Sequence, residues 1–167
     1  AMAIEYGSPT EEIARALYSF KGVKRRFSYK IKSDNLVLID DYAHHPTEIA
    51  AVHQAVREMY PNKKVLAVFQ PHLFSRTRDF AEEFASSLAC FDEVILLDIY
   101  PARELPIQGV SSAWLLDKIE NSKKMLLEKS KLAAKIKESK AEIVVMMGAG
   151  DIGEEVEKVK LKLNDES

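Results

Sequence analysis

The sequence predicts an α/β fold: a three-layer, Rossmann-like domain with a mostly parallel sheet of about six strands and one antiparallel edge strand. Three observations lead there. Apolar runs at Leu36–Ile39, Val65–Phe69, Val94–Leu97 and Ile143–Met147 have strand length and read as buried strands. Stretches with helical spacing lie between them, each long enough for the crossover that parallel strands require. Phe27, Tyr29 and Ile31 alternate with polar residues, the pattern of a half-buried edge strand.

Composition narrows the class. With 167 residues, 47% hydrophobic and 30% charged, the chain has the material for one full core plus an appendage. A formal net charge of -2 supplies no electrostatic footprint for nucleic acid or a membrane surface. Cys90 is the single cysteine, which excludes an internal disulfide and a cysteine-based metal site; its place at the end of an apolar helix suggests a small core residue. No apolar run reaches the ~20 residues of a bilayer span and no signal peptide is apparent, so a reducing cytoplasm is the expected setting.

In chain order, Ala1-Met2-Ala3 reads as a cloning remnant. Thr10 with Glu11 and Glu12 suits a helix start, Ile13, Leu17 and Phe20 form its apolar stripe, and Gly22 ends it. Lys21 to Phe27 is a basic connector. The Leu36 strand ends in Asp40-Asp41-Tyr42-Ala43-His44-His45, and Pro46 opens a helix carrying Ile49, Val52, Val56 and Met59. The Val65 strand ends in Gln70 to Asp79, followed by a helix with Phe80, Phe84 and Leu88 at four-residue spacing. After the Val94 strand comes Asp98 to Glu104, then a helix capped by Ser111 or Ser112. Met125–Leu127 forms a short strand, Ser130–Ser139 a lysine-rich helix, and the Ile143 strand ends in Gly148-Ala149-Gly150-Asp151. Asp151 with Glu154 resembles a capping box for the last helix.

Four polar clusters thus stand at strand ends that a parallel sheet brings to one edge, where open α/β sheets bind ligands. They are Asp40/Asp41/Tyr42/His44/His45, His72/Ser75/Arg76/Arg78, Asp98/Arg103 and Gly148–Asp151. Acids accept from ribose hydroxyls and arginine forks grip carboxylate or phosphate, so the set suits an anionic ligand that also offers hydroxyls. A salt-bridge network with Asp79, Glu82 and Glu83 is the competing explanation for Arg76 and Arg78. His44, His45 and His72 lack the spacing of a zinc site, so no metal ligands are assigned, and His53 reads as structural. Gly148-Ala149-Gly150 with Gly153 fits a tight strand-to-helix turn better than a dinucleotide loop, because no βαβ unit follows. No Gly-x-x-x-x-Gly-Lys-Ser/Thr occurs, so the chain has no phosphate-cradling loop of its own.

Five spaced motifs carry a resemblance. Phe20-Lys21-Gly22-Val23-Lys24-Arg25-Arg26-Phe27, Asp40 to Glu48, Phe69 to Asp79, Tyr100 to Glu104 and Gly148 to Ile152 resemble the C-terminal domain of the ATP-dependent Mur ligases of peptidoglycan synthesis. Among them they are most similar to the branch that joins L-alanine to UDP-N-acetylmuramate. The murein peptide recycling branch shares the Asp-Asp-x-Ala-His-His-Pro stretch but is not expected to share the Gln-Pro-His…Ser-Arg-Thr-Arg-Asp loop. A stand-alone nucleotide-binding module without catalysis is the alternative from another class.

The resemblance implies that residues 1–26 are the remnant plus the tail of a missing central ATPase domain, and that 27–167 form the C-terminal domain. It implies a cytoplasmic carbon–nitrogen ligase in which the missing N-terminal domain holds the UDP-sugar. The central domain holds ATP phosphates and Mg2+, and this domain alone is inactive. The sugar carboxylate takes the γ-phosphate to give an acyl phosphate, which the alanine amine then attacks. Arg26 and Asp41 match nucleotide-binding positions. His44 and Arg76 match catalytic positions facing the amino acid, with Tyr42, His45, Arg78 and Arg103 as further substrate contacts. Leu73 departs from the pattern, standing where many relatives carry arginine.

Overall fold

Alternation along each strand decides which helices it supports. The computed structural model describes residues 2–20 and 22–164; Ala1, expected to belong to a cloning remnant, and Lys21 of the connector lie outside them. Six strands, β1 (Ser28–Lys32), β2 (Val37–Asp41), β3 (Val65–Phe69), β4 (Glu93–Leu96), β5 (Lys124–Leu126) and β6 (Ile143–Met147), form one sheet in the order β1-β2-β6-β3-β4-β5. β1 runs antiparallel to β2, and the other pairs are parallel. The helices are α1 (Met2–Glu5), α2 (Thr10–Ser19), α3 (Pro46–Met59), α4 (Phe74–Asp79), α5 (Ala81–Ala89), α6 (Ser112–Lys118), α7 (Leu132–Ser139) and α8 (Ile152–Asn164).

Across the central strands Ile39, Val145 and Ala67 lie in register, as do Leu38, Val144 and Leu66. The first row joins a core with Ile49, Val52 and Val56 of α3, Phe84 and Leu88 of α5 and Leu115 of α6. The second joins Leu132 and Ile136 of α7 and Val156 and Val159 of α8. Burial on both faces is why β2, β3 and β6 are apolar without interruption up to the acids ending β2.

The structure corrects several local expectations. A register shift between Tyr29 and Ile31 sends Tyr29 to the first core and Ile31 to the second, so the alternation there does not mark one face. The segment 74–89 is two helices broken at Phe80, whose φ of -117° and ψ of 26° leave helical geometry. Cys90 is exposed instead of buried in the core. Asp151 does not close a capping box: its carboxylate takes Lys129 and Gln70, and Glu154 is held through the Asp151 carbonyl. Ser111 does cap α6, accepting from the Trp114 amide. The apolar side chains Leu17, Tyr18 and Phe20 at the end of α2 are exposed.

Candidate functional site

The chain leaves β2 and β3 toward one face of the sheet, through α3 and α5, but leaves β6 toward the other, through α8. Neighbouring strands whose helices diverge open a crevice at their carboxyl ends. Three loops surround it, those following β2, β3 and β4, together with the Gly148–Asp151 turn.

At the β2 corner, burial forces every polar group to find a partner. Asp40 is 1% exposed and lies 3.3 Å from Arg25 Nε and 3.7 Å from Lys30 Nζ. Burial pushes its carboxyl above the ordinary range, more than Arg25 and Lys30 bring it down. Arg25 also donates to the Gly148 carbonyl and lies 5.1 Å from the centre of the Tyr42 ring. Asp41, 5% exposed, accepts from the Phe27 amide at 2.6 Å and the Ala43 amide at 2.7 Å. Its oxygens therefore tie the incoming connector to the outgoing loop.

Beyond Asp41 the loop turns its polar atoms outward. Arg26 is half-exposed, 3.5 Å from Glu48 and 5.6 Å from the Tyr42 ring centre. Glu48 accepts from the His44 and His45 amides, closing the first turn of α3 that Pro46 opens. Burial raises the Glu48 carboxyl, but those amides, His44 and Arg26 outweigh it and hold it low. His44 Nδ1 faces the Tyr42 carbonyl at 2.9 Å and Glu48 at 3.3 Å; both partners can only accept, so this nitrogen carries a proton. His45 contacts Thr47 and the Phe80 ring, and borders a groove of about 670 Å³ between α3 and α5.

At β3 the pattern reverses. Leu73 takes φ 72°, a conformation costly for a side chain bearing Cβ, and is held by its amide on the Tyr100 carbonyl and by Thr77 on its own carbonyl. His72 pairs with Tyr100 as a one-residue extension of the sheet, and the two rings stack at 5.6 Å. Gly150 lies under Tyr100: a Cβ there would meet the ring at 2.6 Å. His72 Nδ1 and Arg76 Nη1 are buried and have no hydrogen-bond partner. Burial, then Arg76 and His44, lower the His72 pKa, so its ring is neutral near pH 7. An unpaired guanidinium nitrogen beside the neutral His72 ring is suited to a carboxylate or phosphate oxygen.

Tyr42, His44, His72 and Tyr100 form a continuous row, with ring centres 5.3, 6.2 and 5.6 Å apart. The site thus gathers Tyr42, His44 and Arg76, with Arg26 at one end. Arg78 is drawn elsewhere, half-exposed and 2.7 Å from Asp79, the intrahelical pairing that competed with a binding role in the sequence. Arg103 is exposed on the loop after β4. Sequence reasoning missed Arg25, hidden in a basic connector beside the more noticeable Arg26, and gave His72 and Glu104 no assigned role. The orphaned atoms that single out His72 exist only in three dimensions. Among the described residues no three His, Cys, Asp or Glu side chains gather to hold a metal ion.

An open α/β sheet with a crevice at its topological switch defines a domain of Rossmann-like architecture. The family model described as "Mur ligase, glutamate ligase domain" matches residues 25–152, and the chain belongs to that family. UDP-N-acetylmuramate–L-alanine ligase of Christiangramia forsetii is 78% identical over the whole chain, which covers 37% of that protein. The Flavobacterium psychrophilum enzyme of the same name is 66% identical over 99% of the chain and 37% of its own length. The chain therefore spans little more than a third of these relatives. The UDP-N-acetylmuramate–alanine ligase structure from Thermotoga maritima superposes with TM-score 0.78 at 26% identity, covering 99% of this chain and 36% of that one. A murein peptide ligase from Psychrobacter arcticus shares the fold, with TM-score 0.70 at 18% identity over 98% of this chain and 35% of that one.

Proposed function

We propose that this chain is the C-terminal domain of an ATP-dependent, cytoplasmic ligase that joins L-alanine to UDP-N-acetylmuramate, and that it supplies one wall of a site completed by upstream domains. The observation that carries the reading is the unpaired Arg76 nitrogen beside the Tyr42–His44–His72 row. Arg76 grips the alanine carboxylate. His44 offers Nε2 to the amine or to the acyl intermediate, and Tyr42 closes the pocket.

Arg26, exposed against Tyr42, reaches ATP when the domains close. Asp41 is less accessible. A ribose diol contacts it only through the remaining lone pairs of oxygens already accepting backbone amides. Mg2+ would be held mainly by the upstream central domain, where it would supply charge neutralisation at the ATP phosphates. His45 and Arg103 are outer substrate contacts in this scheme, ordered by domain closure, whereas Arg78 stays with Asp79. The alanine reading is preferred to peptide recycling because the sequence relatives at 66–78% identity are alanine ligases, whereas the Psychrobacter arcticus peptide ligase is alike in fold alone.

The test is formation of UDP-N-acetylmuramoyl-alanine from UDP-N-acetylmuramate, alanine, ATP and Mg2+, with this chain alone and with the upstream domains restored. Product only in the second case is expected. Product with a tripeptide but not with alanine would assign the recycling reaction instead, and ATP binding without product in the restored protein would favour the nucleotide-binding module.

A further inference from the structure

Arg76 sits on a helix too short to hold itself in place. α4 has six residues, and Leu73 before it has no side-chain acceptor for the first-turn amides. The acceptor comes from another loop. Glu104, 29 residues downstream, accepts the Ser75 amide at 2.9 Å with one oxygen and the Ser75 hydroxyl with the other. The same loop holds the preceding turn, through Tyr100 N–H to the Pro71 carbonyl at 2.8 Å and Leu73 N–H to the Tyr100 carbonyl at 2.9 Å.

A second observation gives these contacts a consequence for the site. Glu104 is near enough to act electrostatically on both Arg76 and His72, yet among the described residues Arg76 makes no ion pair and its Nη1 is unpartnered. Both Glu104 oxygens are turned to Ser75 instead, which orients the carboxylate toward the start of α4 and not toward the guanidinium.

We propose that Glu104 is a positioning residue: by capping α4 through Ser75 it aims Arg76 and His72 into the crevice and leaves the Arg76 guanidinium available to an incoming carboxylate. Glu104 thereby governs amino-acid affinity without itself touching the amino acid. This rests on the alanine-ligase reading for its kinetic consequence, but the capping itself is independent of it.

Two measurements separate the two. On this chain, the backbone amide of Ser75 and the Arg76 Nε–H are followed by nuclear magnetic resonance in the wild type, Glu104→Ala and Glu104→Gln. Glu104→Ala is expected to shift both and to speed exchange of the Ser75 amide about tenfold or more, while Glu104→Gln, which keeps an acceptor, stays close to wild type. In the full-length ligase, Glu104→Ala is expected to raise KM for alanine about tenfold and leave KM for ATP within about twofold, with Glu104→Gln largely restoring it. Ser75→Ala, which frees the carboxylate to pair with Arg76, should also raise KM for alanine. Unchanged resonances in Glu104→Ala overturn the proposal whatever the enzyme does. Equal rises in both KM values overturn the positioning role. Normal capping in a full-length protein that does not use alanine overturns the ligase reading and leaves the cap standing.

Discussion

The ends of β2 and β3 lie on the same edge of one sheet, separated by β6, yet treat their polar groups in opposite ways. After β2, Asp40 and Asp41 are buried and engaged by Arg25, Lys30 and two backbone amides. After β3, Arg76 and His72 keep buried nitrogens without partners. Leaving a buried polar group unpaired costs about 1–3 kcal/mol, so the first corner reinforces the fold while the second holds binding capacity in reserve. Acidic and basic residues at strand ends look alike in sequence; their satisfaction distinguishes a structural corner from a receptive one.

The contrast can be broken most strongly at Asp41. Asp41→Ala strands two amides and is expected to lower the unfolding free energy of this chain by about 2–4 kcal/mol, read by urea denaturation. A loss below about 0.5 kcal/mol would remove the distinction between the corners. Arg76→Ala should do the reverse: stability within about 1 kcal/mol of wild type, but KM for alanine in the full-length ligase up by roughly 10–100-fold, with KM for ATP little changed. Gly150→Ala forces a methyl into Tyr100 and Gln70, and a stability loss of about 1–3 kcal/mol is expected with a changed His72 environment.

A smaller effect sharpens the same comparison through pH. Because folding lowers the His72 pKa from 6.5, its contribution to stability is complete above that value and is lost as pH falls through it. His72→Gln should therefore lose less stability than wild type between pH 7.5 and about 5, measured by denaturation midpoints. A parallel decline in both proteins would show that His72 is not held neutral by burial and by Arg76 and His44. Arg78→Ala, on an exposed pair, should shift stability by no more than about 0.5 kcal/mol and leave KM for alanine unchanged. A marked rise in that KM would give Arg78 the substrate contact that its pairing with Asp79 argues against.

What the sequence determined by itself is the layered architecture and the edge on which polar loops converge. Apolar runs covered on both faces can only be central strands, and the helical spacing between them makes the connections crossovers. Tyr42, His44 and Arg76 could be placed at that edge because they lie in the segments that follow such strands, and the motif resemblance agreed with the family found. Tertiary structure alone decided which of Arg25 and Arg26 pairs with Asp40, where β1 shifts register, and that Cys90 faces solvent. It also decided that Asp41 faces inward on backbone amides, and that Glu104 caps a helix 29 residues away. The physical reason is common to all of these. Periodicity records how often a side chain meets the core, whereas partnership depends on distances between segments far apart in the chain, and the orphaned nitrogens of His72 and Arg76 are visible only once those distances are fixed.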